Sequence, residues 1–363
     1  MRTNNPENER IKHKYLRFLK GPKKRSTTTL DMVAKALHRF DTFNKFRDFR
    51  LFRHEQAESF MEHLFDQRNL RTGEPLSIST IYSTAGVLKA FFQWLGLQPG
   101  FRSRNMFSDA EYFSVSEKDA RIATARRMPR YPTHDQIIQT VHAMPTITEV
   151  ERRDQALMAF ILLTAARANA AASVQLGDID IKKEYVQWDA RHVLTKNSKT
   201  YVTFFFPGIH QSIRKIVVDW VTWLRVEKGW GGSDPVFPAT ARGDQDWQSP
   251  SRVLARTSWK TTASIRKIFE DAFERAKLPY YNPHSFRHTI EQLGEDMCRT
   301  DSERKAWSQN LGHAHVRTSF DAYAPMDASR QLETLRSMST SATSDLNIHG
   351  QIRRLADALD RLV

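Results

Sequence analysis

The string NPHSFRHT, residues 282 to 289, carries the strongest chemical signal in this chain of 363 residues. Asn282 can cap a helix with Pro283 in its first turn, which sets His284, Arg287 and His288 at i, i+3 and i+4 on one helical face. A histidine and an arginine one turn apart can address the same phosphate. Cutting a phosphodiester without a metal requires cations on the non-bridging oxygens, a nucleophile, and an acid for the departing oxygen. Arginine suits the first task because its planar fork gives two parallel hydrogen bonds and keeps its charge. The second half of the chain offers the remaining parts in turn. Arg167 lies in LLTAARANAAASVQLGDIDI, Lys196 and Lys199 in LTKNSKTYVTFFFP, and His313 and Tyr323 in NLGHAHVRTSFDAYAP. Taken singly, each has a plain structural reading: a surface arginine in a helix-helix turn, lysines in a turn, a tyrosine in a core.

These residues need elements to hold them. ERRDQALMAFILLTAAR reads as an apolar helix that delivers Arg167 at its end, and THDQIIQTVHAM as a shorter helix with Thr133 as N-cap. The period then changes. DIDIKKEYVQW, HVLTK and TYVTFFFP are rich in β-branched and aromatic residues separated by turn-like stretches, which predicts an antiparallel sheet of about three strands with Lys196 ending one of them. Helices return in QSIRKIVVDWVTWLRVEK, ASIRKIFEDAFERAK, HSFRHTIEQLGEDM and AWSQNLGH. Upstream, four helices are predicted: ENERIKHKYLRFLK, a run spaced by Leu30, Val33, Leu37 and Phe40, HEQAESFMEHLFDQRN, and a run spaced by Ile81, Ala85, Leu88, Phe92 and Leu95. Lys12, Lys14, Arg17, Lys20, Lys23, Lys24 and Arg25 are placed there to meet phosphates or simply to be solvated. From Gly96 to Pro132 the periodicity fades, which predicts a linker. After Met338 a Ser/Thr-rich hinge precedes a helix striped by Ile348, Ile352, Leu355, Leu359 and Leu362. The expected class is mostly α with a small antiparallel β-sheet. The expected division is a helical domain over 1–125 with its linker from about 97, an α+β domain over 126–340, and a hinge and helix over 341–363.

Composition narrows the partner. Lys+Arg 55 against Asp+Glu 41 leaves a net charge of +14. Such a surplus attracts polyanions, because each phosphate neutralised releases condensed counterions, although it also serves plain solubility. No apolar run approaches the length needed to span a bilayer, and the polar N-terminus lacks the pattern of a secretory signal, so a cytoplasmic, nucleoid-associated protein is expected. Cys298 is the single cysteine, which leaves no intrachain disulfide and no thiolate cluster for zinc. The pairs His284/His288 and His313/His315 lack the added Glu or Cys of a known metal motif, so neither metal nor cofactor is expected.

The Thr-small-x-Arg turn at Arg167, the hairpin lysine Lys196, the His-x-x-Arg box of His284 and Arg287, and the Leu-Gly-His…Tyr box of His313 and Tyr323 follow one another in a fixed order. Together they resemble the tyrosine site-specific recombinases, the phage integrase family, over Thr133 to about Pro325. The resemblance implies a helical core-binding domain followed by an α+β catalytic domain. It implies that Tyr323, the only tyrosine after Tyr281, attacks phosphorus to leave a 3′-phosphotyrosyl bond. Arg167, Arg287 and His313 would hold the phosphate, Lys196 would protonate the departing 5′ oxygen, and His284 would help manage the tyrosine proton. A free tyrosine with a pKa of about 10 is about one part in a thousand ionised at neutral pH, so such a pocket must activate it. The family usually carries an acidic residue three positions after the first arginine. Here that position is Ala170, which leaves Asn169 or a residue elsewhere to support Arg167.

The function implied is integration or excision of a mobile element at a specific double-stranded DNA site, by a homotetramer in the synapse, with accessory DNA-bending or directionality proteins. The alternatives are DNA relaxation of the type IB topoisomerase kind and a non-enzymatic DNA-binding regulator. The terminal apolar stripe would dock on a neighbouring protomer or on its own catalytic domain.

Overall fold

The computed structural model describes residues 4–69, 72–101, 105–125, 129–195, 198–242 and 252–313. The chain divides into two compact units, 1–126 and 127–363.

The first unit is helical: α1 (Pro6–Lys20), α2 (Thr27–Phe43), α3 (His54–Asp66), α4 (Ile78–Gly96), α5 (Met106–Asp109) and α6 (Glu117–Thr124). Side-chain caps set the starts. Asn5 accepts from the amides of Glu7 and Asn8 with Pro6 in the first turn, and Ser26 and Ser77 cap α2 and α4. The core is aromatic. Phe52 stacks on Phe92 at 3.7 Å between ring centres, and Phe40 meets Phe60 and Phe92 edge-on at 5.1 and 5.3 Å.

Two expectations change here. The stretch predicted as linker carries α5 and α6, and its Met106, Ala110 and Phe113 are buried in the aromatic core. A four-residue helix is too short to show a period, so the sequence looks featureless where the chain is anchored. Lys12, expected on an exposed basic face, is buried, with its ammonium 2.8 Å from Asp41 and 2.5 Å from Glu9. Asn8 completes this network by donating to Asp41 at 2.9 Å and accepting the Phe49 amide at 3.0 Å. Lys12 therefore ties α1 to α2 instead of meeting phosphate.

The second unit is built on α8 (Glu149–Thr164), in which every side chain from Ala156 to Thr164 is at most 2% exposed. A helix apolar on all faces belongs at the centre of a core. Around it pack α7 (His134–His142), α10 (Gln211–Val226), α12 (Ser285–Met297) and the strand Arg252–Leu254. Also in this unit are α9 (Ala168–Ser173), α11 (Ala263–Arg275), α13 (Asp301–Asn310), a sheet of β1 (Ile179–Asp180), β2 (Tyr185–Trp188) and β3 (Tyr201–Phe204), and a hairpin of β4 (Thr240–Arg242) and β5 (Arg252–Leu254). Thr133 caps α7, its hydroxyl accepting the Gln136 amide at 3.1 Å.

The sheet is antiparallel in the order β1-β2-β3, with Tyr185 opposite Phe204 and Trp188 opposite Tyr201. Its strands differ from the prediction. DIDIKKEYVQW is a complete hairpin, because Asp180 accepts the amides of Lys182 and Lys183 and Glu184 turns the chain at φ 56°. HVLT is not a strand. Asp189 accepts the Val193 amide through its carbonyl at 2.8 Å and the Arg191 amide through its carboxylate at 2.9 Å, which curls the segment into a turn and buries Val193. The β4–β5 hairpin was not predicted, since strands of three residues carry no readable alternation. Among the described residues, no helix is long and apolar enough to cross a membrane.

Candidate active site

Helix α8 ends in a left-handed turn. Ala165 sits at φ 50°, a conformation that costs a residue with a Cβ about 1 to 2 kcal/mol. Its carbonyl is held by Nη1 of Arg287 at 3.2 Å. The turn leaves Arg167 half-buried at the N-cap of α9. Ala170, on α9, is 3% exposed among apolar neighbours, so a small apolar side chain fits the core there; Asn169 is exposed. Arg167 instead neighbours the Tyr201 hydroxyl on β3. Burial pushes that phenol up, while the charges of Arg287 and Arg167, and a hydrogen bond with Arg167, pull it back.

On the opposite wall, Asn282 accepts the His284 amide at 2.9 Å, but the helix itself starts at Ser285 with His284 in the N-cap position. The expected start at Asn282 is thus too early. His284 nevertheless has helical dihedrals, φ −70° and ψ −24°, so His284, Arg287 and His288 keep their common face. Arg287 is buried. Its Nη2 donates to the Leu311 carbonyl and, at 2.7 Å, to Nε2 of His313. Because arginine only donates, His313 accepts at Nε2 and carries its ring proton on Nδ1 in this arrangement. Burial, and then the charge of Arg167, bring the Arg287 guanidinium down to about 10, which leaves it charged at neutral pH. Burial, followed by His288 and Arg287, lowers His284 to about 4, so its ring is a neutral acceptor.

The Leu-Gly-His segment is delivered by α13. Asn310 at its end behaves as an added strand residue beside β3: its amide oxygen accepts the Phe204 amide at 2.7 Å and its amide nitrogen donates to the Phe204 carbonyl at 2.9 Å. Its own carbonyl accepts from Thr203 at 2.9 Å. Gly312 follows at φ 70°, and a Cβ there would lie 2.5 Å from the Tyr201 ring. Both conditions require glycine. Gly312→Ala is therefore expected to destabilise the fold by about 1 to 3 kcal/mol and to displace His313. A denaturant midpoint and a His313 environment unchanged from wild type would contradict this packing.

The structure brings Arg167, Arg287, His284 and His313 into one cluster. His288 turns aside, with Nδ1 2.9 Å from Glu291 and its ring edge-on to His284 at 5.0 Å between centres. Beside His284 and His288 opens a cavity of about 480 Å3 lined by Arg130, Tyr280, Tyr281 and Asn282. Two residues absent from the sequence prediction, Glu291 and Tyr201, complete the cluster, and a third, Asn310, ties the end of α13 to β3. Glu291 had a visible signal, lying four residues after Arg287 on the same helix. Tyr201 and Asn310 had none, since their roles depend on how β3 meets α13. Lys196 and Tyr323 lie outside the described residues, as do His315, the hinge and the terminal apolar stripe.

A model of the phage integrase family matches residues 130–330. The chain is similar to tyrosine recombinase XerC of Corynebacterium glutamicum, with 23% identity over 261 residues that span 72% of each chain. In fold it is similar to the XerH site-specific recombinase bound to palindromic difH substrate, at a TM-score of 0.57 and 16% identity over 89% of this chain and 83% of that one. It is also similar to a lambda integrase tetramer bound to a Holliday junction, at a TM-score of 0.55 and 12% identity over 89% and 82% of the two chains.

Proposed function

Because the chain belongs to the phage integrase family, the tyrosine recombinases, we propose that it integrates or excises a mobile element by cutting and rejoining DNA through a 3′-phosphotyrosyl bond on Tyr323. The observation that carries this reading is the cluster itself: Arg287 donates to Nε2 of His313 at 2.7 Å, and Arg167 is near enough to act electrostatically on both Arg287 and His284. Like charges drawn together in a partly dry site repel one another, and an anion bound between them relieves that repulsion. A phosphodiester whose charge rises in the transition state is the anion that gains most.

In the proposed reaction the Tyr323 phenol oxygen attacks phosphorus as the bond to the 5′ oxygen breaks. Lys196 gives a proton to that oxygen, and neutral His284 accepts the phenol proton. A bound phosphate makes His284 more basic, since a nearby anion favours the imidazolium. Arg167, Arg287 and His313 hold the non-bridging oxygens. The 5′ hydroxyl of a partner strand then attacks the phosphotyrosine, and the tyrosine leaves with its proton restored. Bond energy is kept in the covalent link throughout, so no external energy source enters the balance.

Exchange between two duplexes calls for four protomers, in line with the tetramer of the lambda integrase relative. We place this chain in a similar assembly on double-stranded DNA, with accessory DNA-bending or directionality proteins as further partners. The test is incubation of supercoiled plasmids carrying two, one or no copies of the DNA site that the protein selects from a random-sequence library. Recombinant products that require two sites are expected. Relaxation independent of site number would instead indicate a topoisomerase, and binding without strand cleavage a regulator.

A further inference from the structure

Glu291 is 6% exposed, yet its carboxylate faces three basic groups. One oxygen lies 2.9 Å from His288 Nδ1, and the other lies 3.6 Å from Arg287 Nε and 3.8 Å from His313 Nε2. Burial alone would raise this carboxyl. The hydrogen bond from His288 and the charge of Arg287 outweigh that and hold it below the ordinary range. A buried carboxylate without such partners is strongly disfavoured, so its place in the fold is conditional on this cluster.

The dependence runs the other way too. Arg287 is gripped on its two outer edges by the carbonyls of Ala165 and Leu311, and Glu291 faces its Nε edge. Those contacts fix the plane of the fork. At Arg287 the carboxylate also opposes the repulsion from Arg167. The turn that carries Arg167 supplies no carboxylate at Ala170, a buried apolar position.

We propose that Glu291 is the positioning residue of this active site, supplying from α12 the negative charge that the Arg167 turn lacks and setting Arg287, His288 and His313 in the geometry that grips the scissile phosphate. It acts through these groups and touches no reacting atom. The inference rests on the recombinase reading above.

The test uses the full-length protein and a nicked suicide duplex carrying its selected site. Adduct formation is timed in single turnover for wild type, Glu291→Gln and Glu291→Asp, alongside melting temperature and site affinity. The Gln variant, close in shape but uncharged, is expected to slow adduct formation about 10- to 100-fold, the range set by one charge-assisted contact, with affinity near wild type. The Asp variant should recover part of the rate. At one fixed pH, nitrogen-15 NMR should show the His288 ring signals displaced in the Gln variant, because the partner of its Nδ1 changes from a carboxylate to an amide. The groups facing His288 are Glu291, the His284 ring and, at 6.3 Å between centres, the Tyr131 ring, and only Glu291 is altered. A Gln variant that cleaves at the wild-type rate, or slows only in proportion to lost stability with His288 unmoved, overturns the proposal. Failure of the wild-type protein to form any adduct would instead overturn the recombinase reading on which it rests.

Discussion

Arg287→Ala is expected to slow covalent adduct formation by at least about 100- to 1000-fold, the usual effect of removing one preorganised contact to a developing oxyanion. Arg287 also has a second duty. It bonds the carbonyls of Ala165 and Leu311 and Nε2 of His313 and faces Glu291, so the alanine variant leaves three acceptors and a carboxylate short of partners in a buried place. Breaking a buried pair in this way costs about 3 to 5 kcal/mol, and a fall in melting temperature is expected as well. Arg287→Lys separates the two effects. It keeps the charge and much of the volume but lacks the planar fork, so it should regain stability more than rate. The measurement is single-turnover cleavage at a temperature where both variants are folded. Wild-type cleavage in a folded Arg287→Ala variant would remove this residue from the active site.

Tyr323→Phe is expected to lose adduct formation completely while retaining affinity for the DNA site. The substitution keeps the ring and removes the one oxygen that forms the phosphotyrosyl bond. Tyr281→Phe is the informative control, because Tyr281 lines the cavity beside His284 and packs on Phe273 at 5.4 Å between ring centres. If Tyr281 is a wall and Tyr323 the nucleophile, the first variant cleaves and the second does not. The reverse pattern would transfer the nucleophile to Tyr281.

The clustering of the candidate site residues was legible where their spacing is local. His284, Arg287 and His288 share a helical face by arithmetic alone, and a shift of the helix start to Ser285 leaves that face intact. Arg167 could be located by the end of an apolar helix, although not the left-handed Ala165 that aims it. What the sequence hid is tertiary. Asn310 extends β3, Tyr201 fills the space above Gly312, and each contact joins residues about a hundred positions apart in the chain. The linker was misread for a related reason, since Met106, Ala110 and Phe113 are buried by packing and not by a repeating pattern. Lys12 shows the converse error. A basic residue in a basic run looked solvated, and only the fold places Asp41 beside it.

The most direct test of the central claim is to trap the wild-type protein on a nicked suicide duplex, digest the adduct with protease, and identify the peptide that remains on the DNA. A denaturant-resistant, protease-sensitive adduct that forms without magnesium is expected, and its residual peptide contains Tyr323 bonded to a 3′ phosphate. A peptide bearing Tyr281, Tyr201 or any other residue in place of Tyr323, or a bond to a 5′ phosphate, would contradict it.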